Sequence, residues 1–397
     1  MRASSYMSGK GLFIMGLFKK HGTDKNGLID DNDAVYKKLD KMYCEKKHEQ
    51  IAETILNIPP EKRSNKLLFR LIGAYSDLKR FDKAELELEK LQARCKSPSD
   101  RAQWFYMNGR VKYMNGRTFT AMHCYEDGLQ ADPSDAAGLN LKQEIDNCRA
   151  QTEKDLELLH DMSEKIVQDI NKRCSEKSDS EKLNLSDEQF TLELGFLPGI
   201  RKIPGQERGL GFDEYFKKLE GEKKELAKGW LEKLFGITDN ESFKDFIKKD
   251  INCNMAHFGD DAIALINKKP SFNLSELNSE GKRLFQDTTL FVNAFAEYLP
   301  EAGTHAWDIC EKIGFLRHAY SVDYLSQEEY ISCMMSLSED AKKKFSSAEE
   351  YVTSLIFGCG LYMFMLDECS TESGAKFLSQ MAVFVINGDL PHILWKK

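Results

Sequence analysis

Apolar positions in the first third of the chain fall into short blocks that repeat. Tyr36-x2-Leu39-x3-Tyr43 is followed nine residues on by Ala52-x3-Leu56. Leu68-x2-Leu71-Ile72-x2-Tyr75 is followed, again nine residues on, by Ala84-x3-Leu88. Phe105-x2-Asn108-Gly109 leads to Ala121-x3-Tyr125 and then Pro133. Steps of three and four are the signature of a helix with one buried stripe. The alanines stand 32 and 37 residues apart, near the roughly 34-residue period of helix–turn–helix arrays. Each pair should end at a cluster of helix breakers: Pro59-Pro60, Ser97-Pro98-Ser99-Asp100 and Asp132-Pro133-Ser134-Asp135. Beyond Pro133 a helical pattern continues to about Arg173, with Leu156, Leu159, Met162, Ile166 and Ile170 on a single stripe. That is what the last unit of a repeat array needs as a cap.

Ser175–Asp187 is polar apart from Leu183 and Leu185, which predicts a flexible linker. Gly195–Gly211 holds five glycines and two prolines but neither phosphate-cradling glycine motif, so it reads as a structural loop. Helical periodicity returns at Phe212. Capping boxes are predicted at Thr238…Glu241, Ser326…Glu329 and Ser347…Glu350, and Leu325 with Tyr330 has the spacing of a hydrophobic staple. The sole β-like run, Ala382–Ile386, could equally continue a helix that starts near Glu372. The expected fold is all-α. Residues 1–32 form a leader, 33–173 three repeats with a capping helix, 174–210 a linker and loop, and 211–397 a globular helical domain.

Composition narrows the partners. The 397 residues carry a net charge of −8 with both signs interspersed, which disfavours nucleic acid. Ten scattered cysteines without a C-x-x-C pair predict reduced thiols and a cytoplasmic protein. Gly11–Phe18 is too short to span a bilayer, and Tyr351–Leu366 is interrupted by Thr353, Ser354, Gly358 and Gly360. A helix buried in a protein core accounts for the latter, and no membrane role is expected.

With the blocks quoted above, residues 33–133 resemble tetratricopeptide repeats. The third unit, with Asn108-Gly109, Ala121, Tyr125 and Pro133, is the best match, and it departs from the family pattern at Lys112. The resemblance implies an array that binds a peptide or protein on its concave face, with Lys37, Lys41, Tyr106 and Arg110 as the expected contacts. The carboxylate clamp of some relatives is not expected, since its asparagines have no counterparts. The second region is similar to a bacterial family catalogued as domain of unknown function 1266 (the YbeU/YbeR-like proteins). That resemblance rests on Gly229-Trp230-Leu231…Leu234-Phe235-Gly236-Ile237-Thr238, Ala306-Trp307-Asp308 and Leu316-Arg317. It continues through Tyr324–Tyr330, Phe345-Ser346-Ser347…Glu350-Tyr351 and Gly358. The family usually has an arginine three residues after its Trp-Asp, where this chain has Glu311.

The segment Trp307–Tyr320 carries the most chemistry. On a helix, Ala306, Cys310, Ile313 and Arg317 share one face, while Asp308, Lys312, Phe315 and Ala319 share another. A helix apolar on several sides is a core element, and an arginine on it needs a partner. Glu328 and Glu329 are the nearest acids. Trp307, Asp308, Arg317 and one of these acids would then form a ligand or catalytic pocket, or else serve as caps and an ion pair that lock helices together. Paired core charges commonly serve structure alone, which favours the second reading. His305 and His318 lie about 20 Å apart along one helix and share no metal. No nucleophile elbow or catalytic cysteine signature is present, so no catalytic residue, cofactor or metal is assigned. The expected function is a non-catalytic interaction protein whose repeats bind a peptide or protein and whose C-terminal domain docks or acts as effector. The alternative is an enzyme or small-ligand sensor around Asp308 and Arg317.

Overall fold

The computed structural model describes residues 33–135, 138–195, 218–269 and 274–395. The predicted leader and most of the glycine-rich loop lie outside the described residues. All regular structure among them is helical, apart from one isolated β-bridge. The chain divides into two compact units between Lys154 and Asp155.

In the first unit, helices run in pairs: α1 (Asp33–Cys44) with α2 (His48–Leu56), α3 (Asn65–Asp77) with α4 (Phe81–Gln92), and α5 (Pro98–Met114) with α6 (Thr118–Ala131). Each helix packs on the next, and α3 also packs on α5. One turn is built three times over. Lys46, Lys79 and Gly116 each end the first helix of a pair in the left-handed conformation, at φ 55°, 57° and 78°. The next amide in each case reaches back five residues, Lys47 to Met42 at 2.9 Å, Arg80 to Tyr75 at 2.8 Å and Arg117 to Lys112 at 2.9 Å. This double-bonded cap satisfies carbonyls that the helix end leaves free.

These turns correct the register of the repeat. They stand 33 and 37 residues apart, whereas the alanine spacing gave 32 for the first interval. Counted from the turn, the equivalent positions are Ile51, Ala84 and Ala121, then Ile55, Leu88 and Tyr125, all buried. Leu56, which the pattern had placed inside, is 45% exposed. The slip arose because Ile51 and Ala52 are both buried, so the alanine matched the pattern one place too late. The same count aligns Tyr36, Phe69 and Tyr106 in one buried aromatic row.

The remaining helices are α7 (Leu141–Ser175), α8 (Asp187–Leu194), α9 (Gly221–Phe235), α10 (Asn240–Lys249), α11 (Ala256–Ile266) and α12 (Ser279–Asn293). They are followed by α13 (His305–Ser321), α14 (Gln327–Lys344), α15 (Ala348–Leu366) and α16 (Thr371–Ile386). The second unit is organised around α15, on which α11, α12, α13 and α16 all pack. Every residue from Tyr351 to Tyr362 is buried, and Phe357 and Phe364 stack on Phe295 and Phe291 at 4.8 and 4.2 Å. Among the described residues no helix is long and apolar enough to cross a membrane. Gly358 lets α15 meet α13, because a Cβ there would fall 2.5 Å from the Trp307 Cβ and 3.0 Å from the Thr304 carbonyl oxygen.

Three local expectations are refined. The box predicted at Thr238…Glu241 is formed one residue later by Asp239 and Ser242. Ser326 and Glu329 form their box as predicted. Ser347 accepts from the Glu350 amide, but the Glu350 carboxylate turns to the amide of Ser346 at 2.6 Å. Ala382–Ile386 continues α16.

The division between units lies inside α7 and not in 174–210. The reason is that the second half of α7 buries Leu159, Ser163, Ile166 and Ile170. His160 there donates from Nδ1 to the Ala294 carbonyl at 3.1 Å, and Arg173 Nε donates to the Ile386 carbonyl at 3.0 Å. The polar stretch that follows is fastened too. The Leu183 amide donates to the His392 carbonyl at 2.8 Å, the Leu394 amide returns a bond to Leu183 at 2.9 Å, and Lys342 pairs with Asp187 at 2.7 Å.

Candidate functional site

In the first unit, two of the four expected contact residues lie inside. Lys37 and Lys41 are exposed on α1. Tyr106 is buried, its ring 5.8 Å from that of Tyr125, and burial pushes its hydroxyl up to about 12. Arg110 donates from Nη2 to Asp77 at 2.7 Å, tying α5 to α3. On the other side of Asp77 stands His48, with Nδ1 3.3 Å from the carboxylate and its ring against the edge of Tyr43. A second ion pair, Arg70 with Asp40, joins α3 to α1 in the same manner. Gly109 takes the place that Leu39 and Ile72 hold in the other pairs, since a Cβ there would strike the Tyr125 ring at 2.6 Å. Asp40, His48, Arg70 and Asp77 escaped the sequence reading, although Arg70 in the apolar run Leu67–Tyr75 was a visible signal.

In the second unit Trp307 is fully buried against Tyr362, ring centroids 5.1 Å apart. Asp308 is buried as well and caps α11 from a neighbouring helix. Its Oδ1 accepts from the amides of Met255 at 2.8 Å and Ala256 at 3.2 Å. Burial raises its carboxyl to about 6, outweighing the opposing pull of those amides, of Lys312 and of His305. Glu329 is occupied elsewhere, accepting from the Ser326 amide at 3.0 Å, from Asn240 at 3.2 Å and from Lys244 at 2.9 Å. Those bonds hold its carboxyl down at about 2. Glu328 is exposed, and Arg317 is half-buried, nine residues along α13 from Asp308 and so about 14 Å up the axis.

What stands beside Asp308 is a different set. One turn earlier, His305 Nε2 lies 2.9 Å from Asp260 Oδ2 of α11. Gly303, at φ 56°, makes room for that carboxylate, because a Cβ would come within 2.7 Å of Asp260 Oδ1. Asp260, His305, Asp308 and Lys312 therefore gather where the N-terminal ends of α11 and α13 meet. The sequence spacing put Asp308 and Lys312 on one face of α13, but it did not join His305 to them and gave no hint of Asp260. Glu311 is buried next to Cys310 and Cys359, and both thiols are driven well up, by burial first and by Glu311 second. None of the ten cysteines forms a disulfide. Among the described residues no three His, Cys, Asp or Glu side chains converge as metal ligands.

A surface groove of about 550 Å³ lies elsewhere, at the junction of α14 and α15, between Lys342–Ser346 and the acids Glu301, Glu339 and Glu350. Trp307 and Asp308 are not among its walls.

Residues 230–388 match a family described as protein of unknown function, DUF1266. This span covers α10–α16 and the C-terminal end of α9, and it includes Asp260, His305 and Asp308. No curated protein and no solved structure matches the chain.

Proposed function

We propose that α1–α6 form a tetratricopeptide-type array that binds a protein or peptide segment, and that the C-terminal unit, similar to DUF1266, is its docking or effector module. The observation that supports this most is the thrice-repeated left-handed turn with its identical backbone bonds at intervals of 33 and 37 residues. Such units bury their faces against neighbours and leave a surface for a ligand. Since Tyr106 and Arg110 hold the array together, the exposed contacts fall to Lys37 and Lys41. A photo-crosslinker replacing Lys41 in the full chain should capture a defined protein in bacterial cells, and one replacing Leu158 should not. Equal labelling from both positions would remove the assignment. Ten cysteines, none of them in a disulfide, fit a reducing cytoplasm.

A second reading, an enzyme or small-ligand sensor, is favoured by one observation: a buried carboxyl near 6 beside a His–Asp pair, the kind of perturbed cluster that functional sites collect. It shifts the site from Arg317 to Asp260, His305 and Asp308. Metabolite-library thermal shifts that vanish in His305→Gln would support it. Hits unaffected by that substitution would end it.

A further inference from the structure

The segment after α16 folds back across the stretch between α7 and α8. Beyond the two backbone bonds between Leu183 and His392–Leu394, Trp395 donates from Nε1 to the Phe345 carbonyl at 3.0 Å. Its ring lies 5.0 Å from Phe190 and 5.7 Å from Tyr351. Lys342 covers the other partner, its ammonium 5.0 Å from the Phe190 ring. In the middle of this closure is His392, only 2% exposed, with neither ring nitrogen hydrogen-bonded among the described residues.

We propose that Leu390–Trp395 is a pH-sensitive latch over residues 183–190, closed while His392 is neutral and released when its imidazole takes up a proton. A buried neutral ring packs as an apolar group, whereas an imidazolium sealed from water without an acceptor is costly. The charged groups that face it are Arg173 of α7, Lys177 and Glu176 just beyond, and Asp389 of its own turn. On the other packed elements, α15 from Tyr351 to Leu366, α16 from Phe377 to Ile386 and residues 183–186 contain no charged residue, and the nearest in sequence beyond those stretches are Lys182, Asp187, Glu350, Asp367 and Lys376. Burial, then Arg173 and Lys177, lower the affinity of His392 for a proton, and Glu176 and Asp389 oppose them. The sign follows from linkage. A histidine depressed in the closed form leaves closure intact above its ordinary value of about 6.5, and closure is lost as pH falls through the depressed value. Release would uncover Phe190, Tyr351 and Phe345. Phe345 also forms part of the groove at the end of α14, so acidification would lengthen that groove with an aromatic slot.

Hydrogen exchange of the full-length protein at pH 7.5 and 5.0, corrected for the intrinsic rate, tests this. Peptides covering Leu183 and Leu394 should lose protection at the lower pH, by about tenfold for each pH unit that His392 is depressed. Peptides from the middle of α15 should not change. His392→Phe should stay protected at both values. Removing a facing cation with Lys177→Gln makes the closed imidazolium less costly and should move the release to lower pH, which decides the matter if the phenylalanine variant does not fold. Undiminished protection at pH 5.0 in the unmodified protein, the same midpoint in His392→Phe, or an unmoved midpoint in Lys177→Gln would overturn the latch.

Discussion

The two units solve the same problem, packing helices without a sheet, by opposite means. In the first, each contact is made to the next helix or the next but one, and the same devices recur. A left-handed cap closes every pair, and an ion pair crosses to the neighbour, Arg70 to Asp40 and Arg110 to Asp77. In the second, distant segments meet. Asp308 caps α11, Lys218 donates to the Tyr320 carbonyl in the last turn of α13 and to the Leu325 carbonyl beyond it, and Asn240 donates to the Tyr324 carbonyl. Local repetition permits stability to be distributed unit by unit, whereas a central helix such as α15 concentrates it. A lesion in the core of the second unit should therefore cost the whole unit, and one in the first should be felt mainly by its neighbours.

The sharpest contrast should come from Trp307→Ala. The ring is fully buried between α13 and α15, and truncating such a side chain costs about 3–5 kcal/mol. Urea unfolding followed by hydrogen exchange should show residues 218–395 losing protection together. Loss confined to α13 alone would refute the central-core description.

Asp308 gives the second unit a pH signature. Its carboxyl is raised in the folded state, so its contribution is fully present below the ordinary aspartate value and is lost as pH rises through about 6. The full effect is about 3 kcal/mol, from two pH units of displacement. Between pH 7 and pH 4 the unmodified protein should gain stability relative to Asp308→Asn by up to that amount. Parallel stability curves for the two proteins would show that the carboxylate is not desolvated. In the first unit the half-buried Asp40 and Asp77 face arginines instead.

That pairing sets the next test. Arg110→Ala leaves Asp77 partly buried with only His48 beside it. The loss should be about 2 kcal/mol, less than for a sealed pair because both side chains keep some contact with water. Arg110→Leu with Asp77→Leu should recover most of it. A double variant no better than the single one would mean that the charges do more than compensate each other.

How much of this was legible beforehand follows the same division. Helices, pair turns and the buried character of Tyr351–Tyr362 were readable because each depends on residues three, four or five apart. The register of the first pair slipped by one because Ile51 and Ala52 are adjacent and equally buried, and the decisive quantity, the φ angle at Lys46, leaves little trace when the residue is lysine. In the second unit Trp307 and Asp308 stood out as residues, but their partners did not. Asp260 lies 45 residues from His305, and Met255 lies 53 from Asp308, contacts set by tertiary packing and not by any period in the chain. Leu183 appeared to be one of two stray apolar residues in a linker, because its backbone partner His392 is 209 positions away.

The smallest effect tests the repeat itself. Gly116 adopts φ 78° without penalty, while Lys46 and Lys79 reach 55° and 57° with a Cβ that crowds the following carbonyl. Replacing Lys79 by glycine removes that crowding, worth about 1 kcal/mol, but gives the unfolded chain extra freedom worth about half to all of it. The net gain should be a few tenths of a kcal/mol, and the same change at Lys46 should match it, because the two turns share every backbone bond. Alanine at either site retains the Cβ and should give no gain. Paired urea titrations of the four variants resolve differences of this size only by their pattern: glycine above lysine and alanine at both turns. If Lys79→Gly stabilises while Lys46→Gly destabilises, the two turns are not equivalent, and the first helix pair is not a copy of the second.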